Sequence, residues 1–345
     1  MSVPEGSDPG RGRLRIGIVG AGFMGATHVA AWTAEAHPVV IHDVHPERAA
    51  QLAERHGAAT AATLDVLLAA VDVVDICGPT HRHAEVALAA AAAGRHVICE
   101  KPLARTVADA ESMLAACDAA GVRLFAAHVV RFFPEYALAR ARVVAGAIGH
   151  PAVLRLRRAS YRPRHSQGHW LFDHEKSGGV VLDLMVHDLD YARWVAGDVV
   201  SVLCNSVGIA RPELAVDHAV AILVHASGAI THVTGSWALG RPDFRTSFEL
   251  AGSDGLIEHD STVGPIGSWL APSGDDGGHG AVGLPSSPVT EDPYRLQLRE
   301  FMREIVDGIA ARVSARDGIA ALRLALAADE SARTGRVVRL EAGPR

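Results

Sequence analysis

The most constraining feature of this sequence is a short apolar segment that runs into closely spaced glycines near its beginning. Residues 14–19 are mostly apolar, as expected of a β-strand that is buried on both faces. The loop GAGFMG follows at residues 20–25, and an apolar, helix-forming segment continues to about Ala36. A strand, a G-x-G-x-x-G loop and a helix in this order are typical of dinucleotide binding, because the helix N-terminus offers free N–H groups to the pyrophosphate. The residues predicted to contact the dinucleotide here are Gly20, Gly22, Phe23, Met24 and Gly25.

An aspartate follows the second predicted strand at the spacing that such units use to bind the adenosine ribose. The strand is residues 39–42, and Asp43 lies 23 residues beyond Gly20. A carboxylate there hydrogen-bonds the ribose hydroxyls and repels a 2′-phosphate, which favours NAD over NADP. Two alternatives stay open. Asp43 could simply begin the turn toward Pro46, and Arg48 in the following helix could reach a 2′-phosphate.

Strands and helices continue to alternate as far as His128. Further apolar strands are predicted at residues 71–77, 96–99 and 123–127. This alternation predicts an α/β fold with a doubly wound parallel sheet. Loops at the carboxyl ends of parallel strands line the ligand crevice of such a sheet. The residues predicted to border the cofactor in those loops are Pro79, Thr80, Glu100 and Lys101.

The pattern changes after His128. The segment Arg131-Phe132-Phe133-Pro134 leads into a helix, and consecutive strands with short turns then predict a largely antiparallel, open sheet. These strands are predicted at residues 152–161, 199–206, 217–225, 229–237, 245–251 and 255–259. Two helices follow, the second beginning at a capping box of Ser314 and Asp317. The outer face of the sheet is apolar enough to predict a homo-dimer or homo-tetramer that packs through it.

The predicted organisation is therefore a disordered tail and two domains. Residues 1–13 form the tail, residues 14–128 an NAD(P)-binding Rossmann domain, and residues 129–345 an α+β domain for substrate binding and oligomerisation. Residues 263–288 are rich in Gly, Pro and Ser and are predicted to form a mobile surface loop.

Composition excludes several classes of partner. A net charge of −6 without any basic run argues against nucleic acid and anionic membranes, so the expected partner is a small molecule. Every apolar run is too short to span a bilayer, and the polar N-terminus lacks the apolar core of a signal peptide. The four cysteines form no CxxC pair, which favours reduced thiols over disulfides or zinc. These features predict a cytoplasmic protein.

Lysine is rare in this sequence. Of the 33 basic residues, only Lys101 and Lys176 are lysines. A lysine in such a chain marks a position that needs a compact ammonium whose pKa responds to burial, which a guanidinium cannot supply. Codon bias is the alternative explanation for both residues.

The segment GGVVLDLMVHDLD at residues 178–190 is the second candidate for chemistry. Asp183 and His187 are four residues apart, so on a helix they project from one face. Gly178 and Gly179 precede them and would let another group approach the backbone. The alternative is an ordinary amphipathic helix whose polar stripe faces water.

Together, the glycine loop, Glu100-Lys101-Pro102 and residues 178–190 resemble the Gfo/Idh/MocA family of sugar and cyclitol dehydrogenases. The likeness extends over nearly all of residues 14–340 and includes Arg131-Phe132-Phe133-Pro134, Trp170 and residues 329–336. The resemblance implies an active site between a Rossmann domain and a domain with an open sheet. It also implies oxidation of a hydroxyl to a carbonyl, or the reverse, with NAD or NADP.

By this resemblance, His187 is the general acid/base, Lys101 polarises the reacting hydroxyl, and Asp183 binds the substrate. Arg131 matches a position that contacts the substrate in inositol dehydrogenases. The chemistry agrees, since imidazole accepts a hydroxyl proton near neutral pH and an ammonium stabilises the developing alkoxide. The sequence departs from the family in having Ser177 before Gly178 and Gly179 instead of a third glycine, and its 263–288 loop looks longer than typical.

Two other hypotheses remain. The chain could be a non-catalytic NAD(P)-binding regulator or scaffold, because a fold does not determine function. It could also be metal-dependent through His165, His169, Asp173 and His174, but their irregular spacing argues against a metal site, and His81 and His83 have no third ligand nearby. Substrate specificity is expected to depend on Arg158, Tyr161, Arg162, Arg164, His165 and Trp237.

Overall fold

The computed structural model describes residues 13–161, 170–210, 216–239, 244–262 and 291–341. Outside these ranges lie the predicted tail up to residue 12, the predicted 263–288 loop and four of the candidate residues, Arg162, Arg164, His165 and His169. Within them, no helix is both long enough and apolar enough to cross a membrane.

The first half of the chain forms a parallel six-stranded sheet. Its strands are β1 (Ile16–Val19), β2 (Val39–His42), β3 (Ala59–Thr60), β4 (Val73–Ile76), β5 (His96–Glu100) and β6 (Leu124–Ala127). They lie in the order β3-β2-β1-β4-β5-β6, and all neighbouring pairs are parallel. The direction of winding reverses between β1 and β4, which opens a crevice at the carboxyl ends of these strands. The predicted doubly wound sheet is confirmed.

Helices connect these strands, and local signals determine where several of them begin and end. They are α1 (Phe23–Ala34), α2 (Pro46–His56), α3 (Leu64–Ala70), α4 (His83–Ala92) and α5 (Val107–Ala120). The hydroxyls of Thr63 and Thr106 cap α3 and α5 by accepting backbone N–H bonds of their first turns. Left-handed Gly57 and Gly121 end α2 and α5.

The second half is built on a mixed, mostly antiparallel sheet. Its strands are β7 (Pro151–Tyr161), β8 (Val199–Ser206), β9 (His218–His225), β10 (Ile230–Leu239), β11 (Arg245–Gly252), β12 (Leu256–Asp260) and β13 (Val338–Arg339). They lie in the order β12-β11-β7-β10-β9-β8-β13. The β7–β10 pair is parallel and the other pairs are antiparallel. The predicted open, largely antiparallel sheet is confirmed.

This second sheet buries only one of its faces. Along β9, Ala219, Ala221 and Leu223 are buried, whereas the alternating residues face outward. Those outward residues are Val220, Ile222 and Val224, with exposed fractions of 40%, 42% and 36%.

The remaining helices cover the inner face and join the two halves. They are α6 (Pro134–Val144), α7 (His174–Ser177), α8 (Val186–Ala196), α9 (Val207–Ala210), α10 (Pro293–Asp307) and α11 (Ala315–Thr334). The predicted capping box of Ser314 and Asp317 begins α11. Phe301 of α10 stacks on Phe125 of β6 with ring centroids 4.6 Å apart, so the C-terminal helices pack against the N-terminal sheet.

Candidate functional site

The glycine loop between β1 and α1 has the geometry of a dinucleotide site. Gly20 has φ +107°, and a Cβ at Gly25 would lie 1.9 Å from the carbonyl oxygen of Gly20. Gly22 has open space where a Cβ would be, and no side chain caps the N-terminus of α1. The first N–H groups of α1 are therefore accessible to an anion, and Phe23 and Met24 lie in that first turn. These residues fit a pyrophosphate.

Asp43 lies beside this loop at the end of β2. Its carboxylate accepts hydrogen bonds from the backbone N–H of Ala21, at 2.6 Å, and of His45, at 2.8 Å. The structure thus places Asp43 at the edge of the glycine loop, where its carboxylate braces that loop.

Pro79, Thr80 and Glu100 also lie at the carboxyl ends of strands. Pro79 and Thr80 follow β4 and begin a 3₁₀ turn (Thr80–Arg82), and Thr80 is buried. Glu100 ends β5 and accepts a hydrogen bond from the backbone N–H of Lys101 at 3.0 Å. The ring of His83 lies between the carbonyl oxygens of Gly78 and Pro102, 3.0 Å from each, and so joins the two loops.

Lys101 and Asp183 meet across the two halves of the chain. The Lys101 ammonium donates hydrogen bonds to the backbone oxygen of Asp183 at 2.7 Å and to its carboxylate at 3.2 Å. Both side chains are mostly enclosed, with exposed fractions of 14% and 19%. The peptide bond that follows Lys101 is cis. An ammonium has three N–H donors, so one remains for a ligand.

His187 lies in the first turn of α8 and completes the group. Its Nδ1 atom is enclosed and has no hydrogen-bond partner among the described residues. Burial, followed by the positive charges of Lys101 and Arg158, lowers the pKa of His187 well below its ordinary value. The imidazole is therefore neutral at pH 7 and can accept a proton.

The helix that carries these side chains is not the uninterrupted α-helix that the sequence predicts. Residues Val181–Met185 form a π-helical turn, and α8 begins only after it. Such turns are rare and occur frequently at functional sites. The glycines before the turn do allow close approach of another group, as expected, but that group is Arg105, whose Nη1 would lie 2.6 Å from a Cβ at Gly178.

Arg131, to which the resemblance assigns a substrate contact, forms ion pairs with Asp190 and Asp317. Its side chain is 2% exposed, and it donates bonds of 2.8 and 2.6 Å to the Asp190 carboxylate. It also donates to Asp317 and to the backbone oxygen of Arg312. This guanidinium therefore connects α8 and α11 behind the site, because a buried charge needs a partner of opposite sign. The structure does not bring it to Lys101, Asp183 and His187.

The other described residues that were considered for substrate specificity or metal binding are either buried or paired with other protein groups. Arg158 is buried and forms a paired bond with Asp188, while Tyr161 and Trp237 are buried in the second sheet. Asp173 caps α7 and pairs with Lys176, and His174 contacts Asp329 at 3.1 Å. Asp173 and His174, the described members of the metal set that the irregular spacing argued against, therefore have separate partners.

Sequence reasoning missed a buried cluster beneath the glycine loop. His28, Asp75 and Cys77 lie close enough together to hold a metal ion. However, burial raises the pKa of the Cys77 thiol to about 12, and Asp75 already accepts hydrogen bonds from His28 and from the indole of Trp32. Because the two donors His28 and Trp32 already satisfy the Asp75 carboxylate, the cluster is described as a hydrogen-bonded network. The feature of the sequence that could have indicated this cluster is Asp75, a carboxylate inside a fully buried strand.

Comparison with known proteins covers both halves of the chain. The family model described as "Oxidoreductase family, NAD-binding Rossmann fold" matches residues 14–128, and the "GFO/IDH/MocA C-terminal domain" matches residues 136–258. Myo-inositol 2-dehydrogenase of Thermotoga maritima is 31% identical over an alignment of 340 positions, which covers 95% of this chain and 99% of that protein.

Solved structures are similar over the same length. GenD2 from gentamicin A biosynthesis, in complex with NAD, is 26% identical with a TM-score of 0.83, covering 99% of this chain and 100% of its own. Levoglucosan dehydrogenase in complex with NADH and L-sorbose is 25% identical with a TM-score of 0.79, covering 95% and 99%. The similarity includes both sheets and the segments that carry Lys101, Asp183 and His187.

Proposed function

We propose, since this chain belongs to the GFO/IDH/MocA family of oxidoreductases, that it transfers a hydride between NAD and a carbinol carbon of a sugar, cyclitol or related polyol. The main support for this proposal is that Lys101 hydrogen-bonds Asp183 and lies close enough to the neutral imidazole of His187 to lower its pKa. All three lie near the carboxyl edge of the dinucleotide-binding sheet, where a substrate would meet the cofactor.

The three side chains have complementary duties. When bound, the nicotinamide accepts or supplies the hydride. In the oxidative direction, neutral His187 accepts the hydroxyl proton as the hydride leaves the carbon. The free N–H of the Lys101 ammonium donates to the same oxygen and stabilises its developing negative charge. Asp183 holds that ammonium in place and accepts a hydrogen bond from a second substrate hydroxyl. In the reductive direction, the protonated imidazole returns the proton.

The direct test is an activity panel. Purified protein is mixed with cyclitols, aldoses and sugar acids, with NAD and NADP in parallel, and nicotinamide absorbance is recorded. We expect NAD reduction with at least one polyol. Tight NAD binding without turnover of any polyol would instead favour the alternative, a non-catalytic NAD(P)-binding regulator or scaffold.

We propose NAD rather than NADP as the preferred cofactor because Asp43 lies beside the glycine loop. Asp43→Ser is expected to lower kcat/KM with NAD by about 10-fold to 100-fold, the value of one hydrogen bond to a charged group. Activity with NADP should rise, since the repulsion of the 2′-phosphate is lost. The measurement is kcat/KM with each cofactor, and Asp65→Ser, at an exposed aspartate in α3, is the control.

Asp43 also braces the loop through Ala21, so its loss could disturb both cofactors alike. An equal fall with NAD and NADP would therefore contradict discrimination by Asp43 and would assign it bracing alone.

We further propose that copies of the chain pair through the outer face of the second sheet as a homo-dimer or homo-tetramer. Val220, Ile222 and Val224 on β9, with Ile230 on the adjacent β10, leave a continuous apolar surface exposed. Ile222→Arg is expected to lower the molar mass in light scattering, because the new charge would be buried in the interface. Val66→Arg, at an exposed valine of α3, is the matched control. A monomeric wild-type protein would contradict the proposal.

We propose two further properties of the chain, its domain boundary and its location in the cell. We place the domain boundary near residue 128, between the two sheets, with α10 and α11 bridging it. We also propose a cytoplasmic location, which is supported by the four free, buried cysteines.

A further inference from the structure

The buried network beneath the glycine loop reaches the backbone of Lys101. His28 lies on α1, next to the glycine loop, and is fully buried. Its Nδ1 is 3.0 and 2.9 Å from the two carboxylate oxygens of Asp75 on β4. Its Nε2 is 3.2 Å from Oε1 of Glu100 on β5, in an ion-pair contact that is not aligned as a hydrogen bond. One imidazole thus lies between two buried carboxylates.

The surroundings of the ring favour its charged form. Burial disfavours the imidazolium, whereas Asp75, through its negative charge and its hydrogen bond, and Cys77 raise the pKa of His28 well above its ordinary value. The other groups that face the ring do not oppose this charge. The sulfur of Cys77 lies 3.5 Å from Nδ1, and the ring of Tyr294 on α10 lies 6.0 Å away. Only the charged ring has an N–H for each carboxylate.

Glu100 connects His28 to the candidate active site. Its second oxygen, Oε2, accepts the backbone N–H of Lys101 at 3.0 Å. The carboxylate is therefore held at one end by His28 and holds the Lys101 backbone with the other. The Lys101 ammonium then reaches Asp183 on the opposite side of the site.

We propose that His28 is a positioning residue, whose ring between Asp75 and Glu100 fixes the Glu100 carboxylate and so sets the direction of the Lys101 ammonium toward the substrate oxygen. This inference rests on the proposed hydride transfer. A misplacement of about 1 Å in a reacting group can cost about 10²-fold in rate, so a residue that never touches substrate can control turnover.

Two substitutions of His28 separate its two contacts. Asparagine places its amide nitrogen near the Nδ1 position and keeps the contact with Asp75, whereas glutamine reaches the Nε2 position and keeps the contact with Glu100. We expect His28→Asn to lower kcat by about 10²-fold, and His28→Gln to recover much of that loss. The KM for the polyol and the Kd for NAD should change much less than kcat.

Trp32→Phe is the matched control. It removes the indole hydrogen bond to Asp75 from the same helix and leaves the contact between His28 and Glu100 intact. Its kcat should match that of the wild type. If kcat falls equally in His28→Asn, His28→Gln and Trp32→Phe, His28 serves only the packing of α1 and the proposal fails.

The position of Lys101 can also be observed without turnover. Because the chain has only two lysines, protein labelled with [¹³C]lysine gives two sets of Cε resonances, and exposed Lys176 is an internal reference. We expect His28→Asn to move the Lys101 resonance and leave that of Lys176 unchanged, while Trp32→Phe moves neither. An unmoved Lys101 resonance in folded His28→Asn would overturn the proposal.

The two readouts keep this inference separate from the proposed function. If the wild type oxidises no polyol, the proposed function fails, and the lysine spectra still decide whether His28 positions Lys101. Should His28→Asn not fold, the spectra of His28→Leu, which lacks both contacts, are compared with those of His28→Gln. A Lys101 resonance displaced less in His28→Gln than in His28→Leu supports the proposal, and an equal or larger displacement in His28→Gln contradicts it.

Discussion

His187→Asn is expected to lower kcat for polyol oxidation by about 10³-fold, within the usual range for removal of a general base. The physical reason is that His187 is a neutral, enclosed imidazole close enough to Lys101 for that positive charge to lower its pKa. Asparagine preserves much of the side-chain volume but cannot accept the hydroxyl proton. NAD binding should be retained, because the glycine loop lies on a different element. Steady-state kinetics and NAD titration by fluorescence measure both quantities.

The control for this variant is His150→Asn, at an exposed histidine in the turn before β7. Its kcat and NAD affinity should equal those of the wild type. An unchanged kcat in His187→Asn would remove His187 from the chemistry, and a parallel loss of NAD binding would indicate a damaged fold instead.

The local parts of the fold could be predicted from the sequence. The strand, glycine loop and helix at the beginning of the chain depend on neighbours within a few residues, and so does the capping box of Ser314 and Asp317. The alternation of apolar and polar residues also predicted the strands of the second sheet. Each of these signals is contained in a short window of sequence, because backbone periodicity and capping are local properties.

The partners of buried charges could not be predicted in the same way. Arg131 pairs with Asp190, which is 59 residues away, and His28 pairs with Asp75, which is 47 residues away. A sequence shows that a charge lies in an apolar segment, but the fold decides which opposite charge reaches it. For this reason the resemblance gave Arg131 a substrate contact, whereas the structure encloses it behind the site.

The π-helical turn at residues 181–185 escaped prediction for a different reason. The segment VLDLM has apolar residues that suit an α-helix and a π-helix equally, so its periodicity does not distinguish them. Only the packing of the turn against the rest of the protein selects the wider turn. The sequence therefore predicted Asp183 and His187 on one helix face but not the backbone that carries Asp183 to Lys101.

Lys101→Met is expected to lower kcat by about 10²-fold to 10³-fold, the usual cost of removing one group that stabilises a developing oxyanion. Methionine keeps the apolar length of the side chain and removes the ammonium group, which donates hydrogen bonds to Asp183. Lys176→Met is a control that this chain offers directly, because its other lysine, Lys176, forms an exposed ion pair with Asp173. Such surface pairs contribute about 0–1 kcal/mol to stability, so Lys176→Met should keep wild-type kcat.

A second expected result concerns the pH dependence of the activity that remains in Lys101→Met. Burial is the main cause of the low pKa of His187, and the positive charge of Lys101 lowers it further, so the wild-type acid limb of kcat/KM for oxidation should lie below pH 6.5. Protonation of the base stops oxidation as pH falls. Without the Lys101 charge the pKa rises, and the acid limb should move to higher pH. A limb that stays in place, or moves lower, would mean that a group other than His187 accepts the proton.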